Sequence, residues 1–159
     1  MQTEDRIHLL QAMPFFGAIK DSSVALILEL SLTLTTKAGD IFFKQGANGD
    51  SLFLLEHGRA VIYKEFNQQE YVLRYVSDGD CFGDLALIDF TTRSASVRAE
   101  ADCTAIKIPS SALHQLYQTD PEQFLLIQMN MAREVSRRLR QADDRWFQMQ
   151  LATSSSHSG

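Results

Sequence analysis

No apolar run in this chain of 159 residues approaches the roughly 20 residues of a membrane span. The N-terminus, Met1 to Arg6, is polar and lacks an apolar signal segment behind it, so a cytoplasmic protein with no membrane partner is expected. Cysteine is scarce. Cys81 and Cys103 have no CxxC partner and no histidines at metal-ligand spacing, so both read as small core residues in a reducing compartment. The four histidines, His8, His57, His114 and His157, stand apart, which argues against the clustered His and Glu ligands of a catalytic metal. No nucleophile has a base beside it to activate it. The expectation is therefore a protein that is not an enzyme and needs no metal or cofactor. Positive charge is also in short supply: 15 Lys and Arg face 20 Asp and Glu, for a net charge of −5. That balance excludes non-specific nucleic-acid binding over the whole surface, though not a local basic patch. No internal repeat is present.

With 45% hydrophobic and 22% charged residues, the chain suits one domain able to bury a core unaided. Its texture changes three times. Residues 1–31 read as a helical lead-in of two short helices broken by Pro14 and Gly17, with Asp21 and Ser22 as N-cap candidates. Residues 32–109 read as short strands cut by glycine turns: Leu32–Thr36, Ile41–Phe43, Leu52–Glu56, Ala60–Phe66, Tyr71–Val76, Ser96–Ala99 and Thr104–Ile108. Turn signals every 8–12 residues or so imply an antiparallel sandwich or barrel. Residues 110–151 return to helix. Ser110 or Ser111 caps a short helix, and Asp120-Pro121-Glu122 opens a long one that runs without Gly or Pro. Residues 152–159, small and polar, are expected to be a disordered tail.

One stretch breaks the strand rhythm. Gly83 to Asp89 has good helix formers and reads as a helical turn or two between strands, followed by Arg93-Ser94-Ala95. A glycine before a helix start lets backbone N–H groups approach an anion, an acid stands in the first turn, and an arginine follows. A phosphate and a sugar hydroxyl would satisfy that set. Taken singly, Asp84 serves equally as a helix cap, Arg93 as a solvated loop charge and Gly83 as a turn residue.

Their order with other motifs carries more. Lys37-Ala38-Gly39-Asp40 with Ile41-Phe42-Phe43, Gln45-Gly46, Gly49-Asp50-Ser51-Leu52-Phe53, Gly58 before Ala60-Val61-Ile62-Tyr63, Gly79-Asp80-Cys81-Phe82-Gly83 and Arg93-Ser94-Ala95 follow one another over about a hundred residues. In this the chain, from about Leu32 to Arg140, resembles the cyclic nucleotide-binding domain family, which includes the regulatory domain of the bacterial cAMP receptor protein. The resemblance implies an eight-stranded antiparallel β-roll or jelly roll with flanking helices, an inserted phosphate-binding cassette helix, and a long C-terminal helix. It also implies a ligand, cAMP or alternatively cGMP. Arg93 would hold the cyclic phosphate, assisted by Ser94, Ala95 and the amides of Leu85 and Ala86, with Gly83 against the ribose. Asp84 stands where the family usually has Glu for the ribose hydroxyl, withdrawing the carboxylate by about 1.5 Å. Thr92 stands where Pro is common. Val61 and Leu73 are candidate apolar walls of the base pocket, and Arg137 and Arg138 candidates to cover the purine, with a solvated helix face as the alternative for each.

Within the long helix, Val135, Leu139, Ala142, Trp146 and Met149 follow heptad spacing. A homodimer through this seam is expected. Glu134, Asp143 and Asp144 among the arginines favour a solvated face over direct DNA binding. The leading reading is a sensor that binds a cyclic mononucleotide and signals through this helix to an unknown effector protein. Should Gly159 end the protein, no output domain follows, and the signal leaves through a dimer or a partner. The alternatives are a degenerate fold acting as a ligand-independent interaction module, or a sensor of a cyclic dinucleotide.

Overall fold

The computed structural model describes residues 2–84 and 92–157. In chain order the elements are α1 (Thr3–Gln11), a 3-10 turn (Pro14–Phe16), α2 (Asp21–Glu29), β1 (Leu32–Thr36), β2 (Ile41–Phe43), β3 (Ser51–His57), β4 (Ala60–Phe66), β5 (Gln69–Val76), β6 (Cys81–Phe82), β7 (Ser96–Ala99), β8 (Cys103–Pro109), α3 (Ser110–Thr119) and α4 (Pro121–His157). The strands form two four-stranded sheets, β1-β8-β3-β6 and β2-β7-β4-β5, antiparallel throughout. This is the β-roll with flanking helices that the sequence implies. Strand β6 was not expected, because two residues between Gly79 and Gly83 are too few to carry a period.

The central strand β3 explains the layering. From Ser51 to Glu56 every residue is buried, because both faces of its sheet are covered. One face turns Phe53 and Leu55, with Phe82 of neighbouring β6, toward the other sheet, where they meet Ile62, Val76 and Val97. The other turns Leu52 and Leu54 toward the helices, where they join Leu10, Phe15, Phe16, Ile27, Leu116 and Ile127. The two cores share one sheet between them. Asn67 and Gln68, at the tip of the β4–β5 hairpin, both take positive φ (51° and 64°), as a two-residue type I′ turn requires.

Helix ends differ from expectation. Lys20, not Asp21 or Ser22, precedes α2, and Asp21 instead accepts a bond from the Gln11 side chain at 2.7 Å. Pro109, not a serine, precedes α3, because β8 runs straight into the helix and the Ser110 amide donates to the Asp50 carbonyl. Asp120 does cap α4: its Oδ1 accepts from the Gln123 amide, and the capping carboxylate also pairs with Lys20. These bonds, with Lys20 first, hold its carboxyl below the ordinary range. The expected disordered tail is corrected to helix as far as His157. No Gly or Pro interrupts it, and Thr153 and Ser155 turn their hydroxyls back onto the carbonyls of Met149 and Leu151.

Helix α4 therefore spans 37 residues, about 55 Å at 1.5 Å per residue. Its first half packs on the domain through Ile127 and Met131, and buried Asn130 donates to the carbonyls of Phe15 and Gly17 at 3.1 and 2.9 Å. From Leu139 to Ser156 every residue is exposed. No helix of the described residues is long and apolar enough to cross a membrane. Asn130→Ala leaves a buried and a half-buried carbonyl without this donor and is expected to cost about 2 kcal/mol of stability. A urea titration checks this: the midpoint falls with an unchanged slope, whereas an unchanged midpoint contradicts the clasp.

Candidate functional site

A cavity of about 430 Å³ opens where the sheet β2-β7-β4-β5, the 3-10 turn and α4 converge. Phe43, Ile62, Leu73, Ala95 and Val97 give it apolar walls, and Pro14 and Phe15 close it from the N-terminal side. Helix α4 presents Glu134, Arg138, Gln141 and Arg145 along it, a stripe spaced four, three and four residues apart.

Arg93 is the central group. It is only 5% exposed, yet among the described residues no carboxylate lies within ion-pair distance of it. Backbone carbonyls hold it instead: Nη1 donates to Gly83 at 2.7 Å and Nη2 to Ser51 at 2.9 Å, while the guanidinium lies 4.0 Å from the Phe43 ring centroid. Among the described residues its buried Nε–H has no partner. Burial lowers its basicity from the ordinary guanidinium value, opposed by the charges of Asp50 and Asp84. A guanidinium never loses its proton near neutrality, so a fixed positive charge lines the cavity with donors left over. Gly83, at φ 77°, makes this arrangement possible: a Cβ there would sit 2.7 Å from Arg93 Nη1 and 3.3 Å from the Phe43 ring.

Asp84 is 2% exposed and paired with Arg138 Nη1 at 2.7 Å. Arg138 also reaches buried Glu134 through Nε at 3.3 Å, and Glu134 is further paired with Arg137. Burial works against the charge on Arg138, but Asp84 and Glu134 hold it above its ordinary value. Glu134 is kept below the usual carboxylate range, first by Arg137 and then by Arg138. The first residues of the Gly83–Asp89 stretch are thus tied to the long helix by a charge-assisted bridge. Cys81, beside it, is pushed up to about 11 by burial and by the Asp84 charge, so it stays a neutral thiol.

Of the sequence-derived candidates, the structure brings Gly83, Asp84, Arg93, Ser94, Ala95, Leu73, Arg137 and Arg138 to this cavity. Val61 is buried but does not line it; strand alternation turns Ile62 inward in its place. Leu85, Ala86 and the rest of the expected cassette helix lie outside the described residues. Residues not singled out in the sequence are Ser51 and Phe43, which hold Arg93, and Glu134, Gln141 and Arg145 on α4. The helical stripe offered a signal for the last three. The Ser51 carbonyl offered none. Among the described residues there is no group of His, Cys, Asp and Glu that could hold a metal ion.

The family profile described as cyclic nucleotide-binding domain matches residues 33–120. The chain is 35% identical over 107 residues to a cAMP-dependent protein kinase regulatory subunit of Emericella nidulans, covering 67% of this chain and 26% of that protein. It thus spans about a quarter of that relative's length. The catabolite activator protein of Thermus thermophilus superposes with a TM-score of 0.72 at 29% identity, over 82% of this chain and 60% of that one. A cyclic nucleotide-binding domain from Methylobacillus flagellatus shares the fold, with a TM-score of 0.78 at 22% identity over 90% and 81% of the two chains. With more than half of its length matched by the profile, the chain belongs to the cyclic nucleotide-binding domain family.

Proposed function

We propose that the chain is a cytoplasmic sensor that binds a cyclic mononucleotide, cAMP first among them, and passes the signal through α4 to an effector protein rather than to DNA directly. The observation that carries this is Arg93, a buried cation held by carbonyls and left without a counterion among the described residues. A singly charged cyclic phosphate is the complement of such a site, and a low-dielectric wall strengthens the attraction. In this reading Ser94 and Ala95 border the phosphate, Gly83 and Asp84 the ribose, and Leu73 with Ile62 the base, while Arg138 and Arg137 cover it from α4.

Calorimetry with cAMP and cGMP tests the assignment. Wild type binds, and Arg93→Ala loses at least about tenfold in affinity, the worth of one charge-assisted contact or more. Gly83→Ala, which pushes a methyl group into the guanidinium, is expected to weaken binding similarly. Binding by neither ligand, or unchanged binding by Arg93→Ala, overturns the reading.

Asp84 supplies the coupling. Its carboxylate is shared with Arg138 of α4, so a ribose hydroxyl that takes up Asp84 must loosen or reshape the Asp84–Arg138–Glu134 bridge. A ligand shifts an equilibrium only by its differential affinity for two states, and this bridge gives the two states different contacts. Hydrogen exchange in wild type should change across Arg133–Gln148 on cAMP addition. In Arg138→Ala the phosphate still binds through Arg93 but that change is lost; an identical response in the variant contradicts the relay. The alternative, a ligand-independent interaction module, draws on the same observation, since Asp84 is already paired; failure of every cyclic nucleotide to bind would favour it.

The exposed half of α4 fits a second copy of the chain. Leu139, Trp146 and Met149 are each more than 60% exposed along the heptad seam. Sedimentation is expected to give a homodimer that Leu139→Glu with Trp146→Glu converts to monomer; a monomeric wild type at high micromolar concentration contradicts it.

A further inference from the structure

The cyclic mononucleotide reading leaves two cations of the cavity unused. Five arginines and three carboxylates of the described residues line it, an excess of two positive charges in a chain whose net charge is −5. Arg137 and Arg138 are already bound to Glu134 and Asp84. Asp80 is engaged in its own turn, where it accepts from the amide and hydroxyl of Ser77. Arg93 faces the cyclic phosphate. What remains is Arg74, from β5, and Arg145, from the last position of the α4 stripe. Both are exposed side chains on the solvent side of the cavity, and among the described residues neither has a carboxylate within ion-pair distance.

We propose that Arg74 and Arg145 form a second anion subsite at the mouth of the cavity, so that beyond the cyclic mononucleotide held at Arg93 the cavity also takes, and holds more tightly, a nucleotide that carries a second phosphodiester, as a cyclic dinucleotide does. The proposal rests on the cyclic nucleotide reading of Arg93 and extends it outward. A cyclic mononucleotide carries a single negative charge, which Arg93 already matches. A second phosphodiester projecting from the inner nucleotide would meet a rim to which two different walls each contribute an arginine, one from the sheet and one from the helix. Guanidinium forks suit phosphate oxygens in a way a point charge does not. Because the rim is open to solvent, its attraction is screened by salt, whereas that of buried Arg93 is screened far less. The two subsites are therefore separable by ionic strength.

Calorimetry on the full chain decides this, with cAMP, cyclic di-AMP and cyclic di-GMP as probes at low and moderate salt, on wild type, Arg93→Ala and the double variant Arg74→Ala with Arg145→Ala. The better cyclic dinucleotide is expected to bind wild type about tenfold tighter than cAMP at low salt, with the advantage shrinking as salt rises. In the double variant that advantage falls below about threefold. Both substituted side chains are exposed, so the variant is expected to fold as wild type does, which its melting curve checks. cAMP binding wild type as tightly as either dinucleotide, or a double variant that keeps the tenfold advantage, overturns the second subsite and leaves the Arg93 reading standing. Absence of binding by all three probes to wild type, or full binding by Arg93→Ala, overturns the cyclic nucleotide reading and the subsite with it.

Discussion

A guanidinium buried with no carboxylate of the described residues at ion-pair distance is costly, and the rest of the site is arranged around keeping one there. Arg93 survives at 5% exposure because the Gly83 and Ser51 carbonyls accept from it and the Phe43 ring faces its plane. Each of those partners is supplied by the fold. Ser51 begins the doubly buried strand β3, Phe43 ends β2, and Gly83 lies just past β6 with no side chain to obstruct the approach. Neutral carbonyls satisfy donors without cancelling charge. Among the described residues the cavity lining carries more arginines than carboxylates, an excess that an incoming anion would relieve.

The second constraint is that the carboxylate next to this cation belongs to a different element's network. Asp84 follows Gly83 directly, yet its partner is Arg138, fifty-four residues on and carried by the long helix. Glu134 completes a bridge in which one arginine serves two buried acids. Helix α4 is in turn fixed to the 3-10 turn by Asn130, and that turn forms another wall of the cavity. Cavity wall, helix and N-terminal turn thus share contacts, and a displacement of Asp84 has a contiguous route into α4 through Arg138 and Glu134.

Strand positions were legible because glycine turns punctuate apolar runs, and all seven predicted strands appear within one or two residues of their expected bounds. The two-residue β6 had no period to read. Helix caps were misread where a neighbouring strand or side chain took over the role, as the Asp50 carbonyl does for Ser110 and Gln11 does for Asp21. The tail was misread because serine and threonine signal disorder by composition, although their hydroxyls can fold back onto helical carbonyls. Arg93 and Gly83 were legible as members of ordered motifs. The pairing of Asp84 with Arg138 was not, since no spacing rule joins residues from a turn and a distant helix. Val61 and Ile62 differ by one step of strand alternation, and choosing between them requires the register.

The central claim is that buried Arg93 is a phosphate subsite, and ligand-induced thermal stabilisation tests it most directly. At about a hundred times the dissociation constant, a ligand that binds only the folded state adds about 2.7 kcal/mol. In a chain of this length that raises Tm by roughly 5–10 °C. Arg93→Ala should melt cooperatively but without this rise. A wild type whose Tm is unmoved by any cyclic nucleotide, or an Arg93→Ala variant stabilised as much as wild type, would contradict the account.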